Sequence, residues 1–104
     1  MRKLIRNKIP ELIMGERKSL VNEYHQGIRK MSGWEYEYAL RLKMYEEWSE
    51  AWESPCPEEF GDCLQVLKDA AELMGIPWSQ VVTSQEEKKE VRGSFNQMWE
   101  LSTK

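Results

Sequence analysis

The sequence predicts an all-α protein, a small helical bundle. Apolar residues recur at helical spacing in two long segments, residues typical of helix starts and ends separate these segments, and β-branched residues are few. A chain of 104 residues allows one compact domain, here 1–104, with only a thin core. Oligomerisation would supply further buried surface.

Composition and charge exclude several classes of protein. Fifteen Lys and Arg against eighteen Asp and Glu give a net charge of −3, which does not favour a nucleic-acid polymer as partner. No apolar run approaches the roughly 20 residues that cross a bilayer, and no signal-type segment follows the first residues. We therefore expect a cytoplasmic protein without a membrane partner. Cys56 and Cys63 match no zinc or redox spacing and are expected to be buried free thiols.

The first third of the chain offers weak helix signals. A short helix is predicted within residues 3–14, with Pro10 in its first turn and Gly15 at its end. Residues 16–31 are polar and irregular, with at most a short strand, and His25 is expected to be a loop residue.

Three longer helices are predicted after this segment. Ser32 and Glu35 fit the capping box that opens the first, which runs to about residue 53, just before a proline pair. The second and third are expected at about 57–75 and 77–92, and a glycine marks the end of each. The short connection between the first two makes them antiparallel neighbours.

Helical wheels predict which faces of these helices pack. The wide apolar arc of the first long helix is expected to be core or subunit interface, and it contains Trp34, Tyr38, Leu42, Tyr45, Trp48 and Trp52. A narrower patch on its far side contains Leu40, Met44 and Ala51. The next helix has an apolar stripe of about 180°, which predicts a central, buried helix, and its members include Phe60, Leu64, Leu67, Ala71 and Met74. Part of the tail, 94–104, is also expected to pack.

Carboxylates occupy corresponding positions on the two neighbouring helices. Glu47 and Glu50 on the first, and Glu59 and Asp62 on the second, stand at i, i+3, which brings their Cβ atoms to about 5–6 Å. Since only Lys43 is near enough to help as an intrahelical cation, the convergence of these acids near one turn predicts a shared Mg²⁺ ion. The alternatives are a solvated acidic flank on the first helix and, for Glu59, a helix-start role.

Gly61 lies between the two carboxylates of the second helix. A glycine at a helix-interior position costs about 1 kcal/mol relative to alanine. This cost would be explained if another backbone or a ligand approached closely at Gly61.

Three motifs resemble those of a known family. Residues 46–50, EEWSE, and 58–62, EEFGD, resemble the EExxE…EExxD signature of the MazG-like all-α nucleotide pyrophosphohydrolases. The opening KLIRNKIPE of residues 3–11 resembles the KLVRDKIPE start of the phosphoribosyl-ATP pyrophosphohydrolase-like branch, and residues 88–95, KKEVRGSF, resemble its closing KxxxRGGF. The motifs come in the family's order and span nearly the whole chain.

The resemblance implies a Mg²⁺-dependent hydrolase, with Mn²⁺ as a possible substitute, assembled as a dimer or tetramer. It would cleave the α–β phosphoanhydride of a (d)NTP or related nucleotide to a monophosphate and pyrophosphate. The implied metal ligands are Glu47, Glu50, Glu59 and Asp62, and Glu46 is implied beside Glu47 as a catalytic carboxylate that orients water or helps a second ion. The implied substrate-binding residues are Arg6, Lys8, Lys88, Lys89 and Arg92. Trp48, which lies beside the acids, is the candidate among the tryptophans to stack on a nucleobase instead of packing in a core or subunit interface.

The chain differs from the family motifs at two positions, and two other functions are possible for it. Asn7 stands where the family usually has Asp, which removes a charge from the opening motif, and Ser94 replaces the second Gly of the closing motif. The main alternative is a non-catalytic helical module that binds a nucleotide or a protein partner through its acidic groove. A third possibility, for which Asn7 is the only support, is a degenerate family member that keeps the fold and the metal but not the rate. For Lys88 and Arg92 the alternative is an ordinary basic turn on an exposed helix.

Overall fold

The computed structural model describes residues 3–16 and 28–103. Across these two ranges it contains helices and no strand, so the predicted all-α fold is confirmed. The helices are α1 (Ile9–Glu16), α2 (Gly33–Glu53), α3 (Pro57–Leu73) and α4 (Trp78–Arg92). The predictions of a short strand within 16–31 and of a loop position for His25 fall on residues 17–27 and lie outside the described residues.

The ends of α1 and α2 follow local sequence signals. Helix α1 begins just before Pro10 and includes Gly15, one residue beyond the predicted end, because a single glycine weakens a helix without necessarily ending it. Helix α2 opens with the predicted capping box, in which the Glu35 carboxylate accepts a hydrogen bond from the Ser32 backbone N–H at 3.2 Å. Arg29 also pairs with Glu35, so the start of α2 is held by both polar and ionic contacts.

Glycines end α3 and α4 as predicted. Gly75 has φ 73°, its N–H bonds the carbonyl of Glu72 at 3.0 Å, and the Ile76 N–H bonds that of Ala71 at 2.9 Å. This is the Schellman arrangement, which satisfies carbonyls that the end of the helix would leave unpaired. Helix α4 ends at Gly93, which has φ 79°.

The chain contains two compact units, Met1–Ala70 and Ala71–Lys104. The expectation of one domain over 1–104 stays a prediction. In the first unit, α2 and α3 are antiparallel neighbours joined by a connection of three residues. Glu50 lies near Glu59, and Glu47 lies near Cys63. In each pair the two residues are about equally far from the connection, as antiparallel packing requires.

The packed face of α2 is the narrow patch, and the aromatic arc is exposed. Leu40 and Ala51 are 4% and 2% exposed, and Met44 between them is half-buried. All six members of the wide arc are exposed, so they form no core among the described residues, and the alternative of a subunit interface stays a prediction. Periodicity identifies the apolar faces of α2, but the buried face is the one that meets a neighbouring helix. The small and slender side chains of the narrow patch let α3 approach α2 closely.

Helix α3 is buried along one flank only. Val66 is buried and Cys63 and Ala70 are half-buried, whereas Phe60 and Leu64 are exposed. The prediction of a central helix is therefore wrong for the described residues, because the few described elements of the first unit do not surround a 180° stripe.

Two smaller expectations are also wrong. The apolar side chains of the tail are almost fully exposed, because beyond Gly93 the described residues form only a turn, with a 3.3 Å bond from the Met98 N–H to the Phe95 carbonyl. Both cysteines are free, but Cys56 lies exposed in the connection and Cys63 is half-buried.

In the described part of the chain, no helix is both long enough and apolar enough to cross a membrane.

Candidate metal centre

Helices α2 and α3 bring three carboxylates together. One carboxylate oxygen from each of Glu47, Glu50 and Glu59 lies within 4.8 Å of the other two. Glu47 and Glu50 are neighbours on one turn of α2, and Glu59 lies in the first turn of α3. We call these three residues the carboxylate cluster.

Glu47 is the most buried member of the cluster. Only 6% of its surface is exposed, because it lies on the packed face of α2 between Leu40 and Ala51. Its Oε1 accepts from the Lys43 ammonium at 3.1 Å, but its Oε2 is buried and has no hydrogen-bond partner. A buried carboxylate oxygen without a partner is costly, so a cation at this atom would stabilise the folded protein.

Glu59 repeats this feature from the other helix. Its Oε2 is also buried without a hydrogen-bond partner. The helix-start explanation accounts for a carboxylate near the positive end of α3 but leaves this oxygen unsatisfied. Two carboxylate oxygens on facing helices, Glu47 Oε2 and Glu59 Oε2, are thus buried without a hydrogen-bond partner among the described residues.

Mutual repulsion within the cluster acts on Glu50. The charge of Glu47, followed by desolvation and the charges of Glu59 and Glu46, raises the pKa of the Glu50 carboxyl. Carboxylates that crowd one site disfavour each other's ionised form unless a cation is shared.

Lys43 compensates for part of this charge. Its ammonium is half-buried and lies 3.1 Å from Glu47 and 3.7 Å from Glu46, as the i, i+4 and i, i+3 spacings predict. Glu46 itself is exposed and lies outside the carboxylate cluster. One ammonium cannot neutralise three clustered carboxylates, which leaves the site strongly anionic.

Asp62 does not join the cluster. Its Oδ1 accepts a hydrogen bond from the Arg6 guanidinium at 2.6 Å, and both side chains are partly exposed. The pair links the segment before α1 to the first half of α3 across 56 positions of sequence. Arg6, expected to bind substrate, thus contacts one of the expected metal ligands.

Cys63 is a neighbour of the site that the sequence analysis did not connect with it. Burial, and then the charges of Glu47, Asp62 and Glu59, raise the pKa of its thiol. The signal was available, since Cys63 follows Glu59 by four residues and so lies on the same side of α3. The thiol is therefore protonated at neutral pH and supplies no negative charge.

The remaining expected site residues are exposed. Lys8 lies just before α1, and Lys88, Lys89 and Arg92 lie on α4 in the second unit. Trp48 is exposed on α2 and meets Trp52 edge-on, with ring centroids 5.9 Å apart. Their substrate-binding roles stay predictions.

Close approach at Gly61 is not observed. A Cβ atom added there would meet nothing within 4 Å. Of the two explanations for this glycine, the close approach of another backbone is therefore excluded among the described residues, and the approach of a ligand stays a prediction.

The donor set of the cluster suits a hard divalent cation. Carboxylate oxygens are the ligands that Mg²⁺ and Mn²⁺ prefer, and two of the three residues present a buried oxygen with no other partner. No protein-family model, curated protein or solved structure matches this chain, so its likeness to the pyrophosphohydrolases rests on motifs in its own sequence.

Proposed function

We propose that this protein is a Mg²⁺-dependent nucleotide pyrophosphohydrolase of the cytoplasm. Its substrate would be a (d)NTP or related nucleotide, cleaved between the α- and β-phosphates. The observation that carries the proposal is the pair of buried, unpartnered oxygens, Glu47 Oε2 and Glu59 Oε2, within one carboxylate cluster. Helices rarely bury such atoms unless a cation or another function compensates for the cost.

Glu47, Glu50 and Glu59 would hold the ion, with Asp62 as a fourth ligand once it leaves Arg6. A Mg²⁺ ion held by these carboxylates would supply Lewis acidity and would offset the negative charge of the phosphates. Lys43 holds Glu47 Oε1, which leaves Oε2 as the oxygen of this residue that has no hydrogen-bond partner and could take a cation. Glu46 remains exposed and can accept a proton from an attacking water.

Cations of the chain would bind the phosphates. Phosphoryl-transfer catalysis consists mainly of positioning and of stabilising charge on the transferring group. A guanidinium such as that of Arg6 or Arg92 grips phosphate oxygens as a planar fork, whereas Lys8, Lys88 or Lys89 would act as a point charge. The motif resemblance supports these assignments.

The direct test is pyrophosphate release from a panel of nucleotides, with Mg²⁺ and with EDTA. Glu47→Gln, Glu50→Gln and Glu59→Gln each remove one ligand charge with little change in volume, and each should abolish most of the turnover. Glu53→Gln, at the exposed end of α2, is the matched control and should leave turnover unchanged. Undiminished turnover in EDTA would contradict the proposal.

The same panel separates catalysis from simple binding. A non-catalytic module predicts stoichiometric nucleotide binding without product and without dependence on Mg²⁺. A Mg²⁺-dependent rise in Tm that disappears in Glu47→Gln would support the metal site even before a substrate is found, because a ligand that prefers the folded state raises its stability.

A further inference from the structure

The Arg6–Asp62 ion pair lies beside the carboxylate cluster. Asp62 follows Glu59 by three residues on α3, so the Cβ atoms of these two acids lie on one side of the helix at about 5–6 Å. The Cys63 thiol is near both of their charges. The Arg6 guanidinium therefore holds a carboxylate that adjoins the cluster and yet lies outside it.

This pair is well suited to exchange partners. It consists of one hydrogen bond, from Arg6 Nη2 to Asp62 Oδ1, between side chains that are 61% and 40% exposed. An exposed ion pair of this kind shifts an equilibrium by at most about fivefold. The contact can thus hold Asp62 in the protein without metal or nucleotide, and it is weak enough to be replaced when either side chain meets a better partner.

The proposed ligands offer each side chain a better partner. A phosphate group can accept two parallel hydrogen bonds from a guanidinium, whereas Asp62 accepts one from Arg6. A divalent cation held by the cluster carries twice the charge of a guanidinium and binds carboxylate oxygens directly. The phosphate and the cation act on opposite members of the pair, so both favour the arrangement in which the pair is broken.

We propose that the Arg6–Asp62 pair couples the binding of the substrate's phosphates to the binding of Mg²⁺. This inference rests on the proposed function, from which it takes the ion and the phosphates. When Arg6 binds a phosphate, it releases Asp62 to become the fourth ligand of the ion. The pair has to be broken only once, whichever ligand arrives first, so each ligand tightens the binding of the other by the same factor, at most about fivefold. The substrate thereby completes the metal site that acts on it.

Titration with Mg²⁺ alone tests one half of this exchange. The four chains are wild type, Arg6→Gln, Asp62→Asn and the double variant, and all should keep the helical circular dichroism because both side chains are partly exposed. Arg6→Gln should tighten Mg²⁺ binding about two- to fivefold more when Asp62 is present than in the Asp62→Asn background. The second background gives the effect of net charge alone. Equal effects in the two backgrounds would overturn the proposal.

Titration with inorganic pyrophosphate in EDTA, followed by phosphorus NMR, tests the other half. Asp62→Asn releases Arg6, so it should tighten pyrophosphate binding when Arg6 is present and do so much less in the Arg6→Gln background. Glu58→Gln, which removes an equal charge from an exposed position of α3, is the matched control. Since both titrations measure the breaking of the same pair, the two factors should agree. An equal gain with and without Arg6, or no pyrophosphate binding by Asp62→Asn, would overturn the coupling.

The outcomes separate this inference from the proposed function. If the wild type binds Mg²⁺ and Glu47→Gln does not, while Arg6→Gln and Asp62→Asn act additively, the coupling is overturned and the metal centre stands. If none of the four chains binds Mg²⁺, the metal centre and the coupling both fail. Coupling in both titrations without turnover on the nucleotide panel would support the exchange at Asp62 and contradict the hydrolase.

Discussion

The Arg6 guanidinium donates a 2.6 Å hydrogen bond to the Asp62 carboxylate, joining two residues that lie 56 positions apart. Asp62 lies one turn beyond Glu59 on α3 and is the one expected metal ligand outside the carboxylate cluster. As both side chains are partly exposed, the pair contributes at most about 1 kcal/mol to stability. If the proposed Mg²⁺ ion takes Asp62 as its fourth ligand, Arg6 must compete with that ion for the carboxylate.

We therefore expect Arg6→Gln to tighten Mg²⁺ binding in the absence of nucleotide. The substitution frees Asp62 and removes a positive charge near the cluster. Lys8→Gln removes an equal charge from the same segment without breaking the Arg6–Asp62 pair. It is therefore the control for the effect of net charge alone on Mg²⁺ affinity. Titration calorimetry with Mg²⁺ alone measures both, and equal affinities in the two variants would exclude competition at Asp62.

Glu50 should make the metal-free protein less stable as the pH rises. Folding raises the pKa of the Glu50 carboxyl above 4.5, so the folded state favours its protonated form. At lower pH the carboxyl is protonated in both states and does not lower the free energy of unfolding. The cost of ionising it in the fold appears as the pH rises through 4.5 and is complete above the raised pKa. In EDTA, Glu50→Gln should thus have a higher Tm than wild type at pH 7 and an equal one near pH 4. A lower Tm at pH 7 would show that the repulsion is relieved in another way.

Glu35 should show the opposite dependence on pH. Its hydrogen-bonded pairing with Arg29, and then its bond from the Ser32 N–H, lower the pKa of Glu35 to about 2. The stabilisation is complete above 4.5 and is lost as the pH falls toward 2. Glu35→Gln should lower the Tm at pH 7, and its difference from wild type should shrink between pH 4.5 and 2. A difference that does not depend on pH would show that the charge of Glu35 is not what holds the start of α2.

Lys43→Met should destabilise the metal-free protein by on the order of 1–3 kcal/mol, since it leaves the buried Glu47 carboxylate without its cation. Glu37→Gln breaks the exposed Arg41–Glu37 pair on the same helix, and it should change stability by less than about 0.5 kcal/mol. Urea unfolding in EDTA measures both variants, and similar values for the two would mean that Lys43 does not support Glu47.

Gly61→Ala should stabilise the protein by about 0.5–1 kcal/mol, because an added Cβ meets nothing within 4 Å and alanine is the better helix former. Thermal unfolding measures the gain. If turnover falls while stability rises, the substrate approaches α3 at this residue; a loss of stability would contradict the open space around it.

Sequence patterns predicted the helices well where a local device operates. The capping box at Ser32 and the left-handed turn at Gly75 depend on residues within one turn of each other, and both are present. The i, i+3 spacing of Glu47 and Glu50 likewise follows from helix geometry, and the short connection brings Glu59 to them. Such features need only local backbone preferences and chain length.

The packing of the helices could not be predicted in the same way. Periodicity identified both apolar faces of α2, but Leu40 and Ala51 became buried while Trp34 and Tyr45 stayed exposed. The hydrophobic effect favours burial of either face of α2, so which face becomes buried depends on how closely another helix can approach it. That choice also buried Glu47, which a wheel places only on a flank.

By itself, then, the sequence determined the helical class, the limits of α2 and α4, and the spacing of the acids, since all of these depend on neighbours within a few residues. Only the tertiary structure decided that Glu47 is buried with an unpartnered oxygen and that Asp62 is held by Arg6. Both outcomes depend on contacts between distant segments, where burial and charge pairing are settled by which side chains meet.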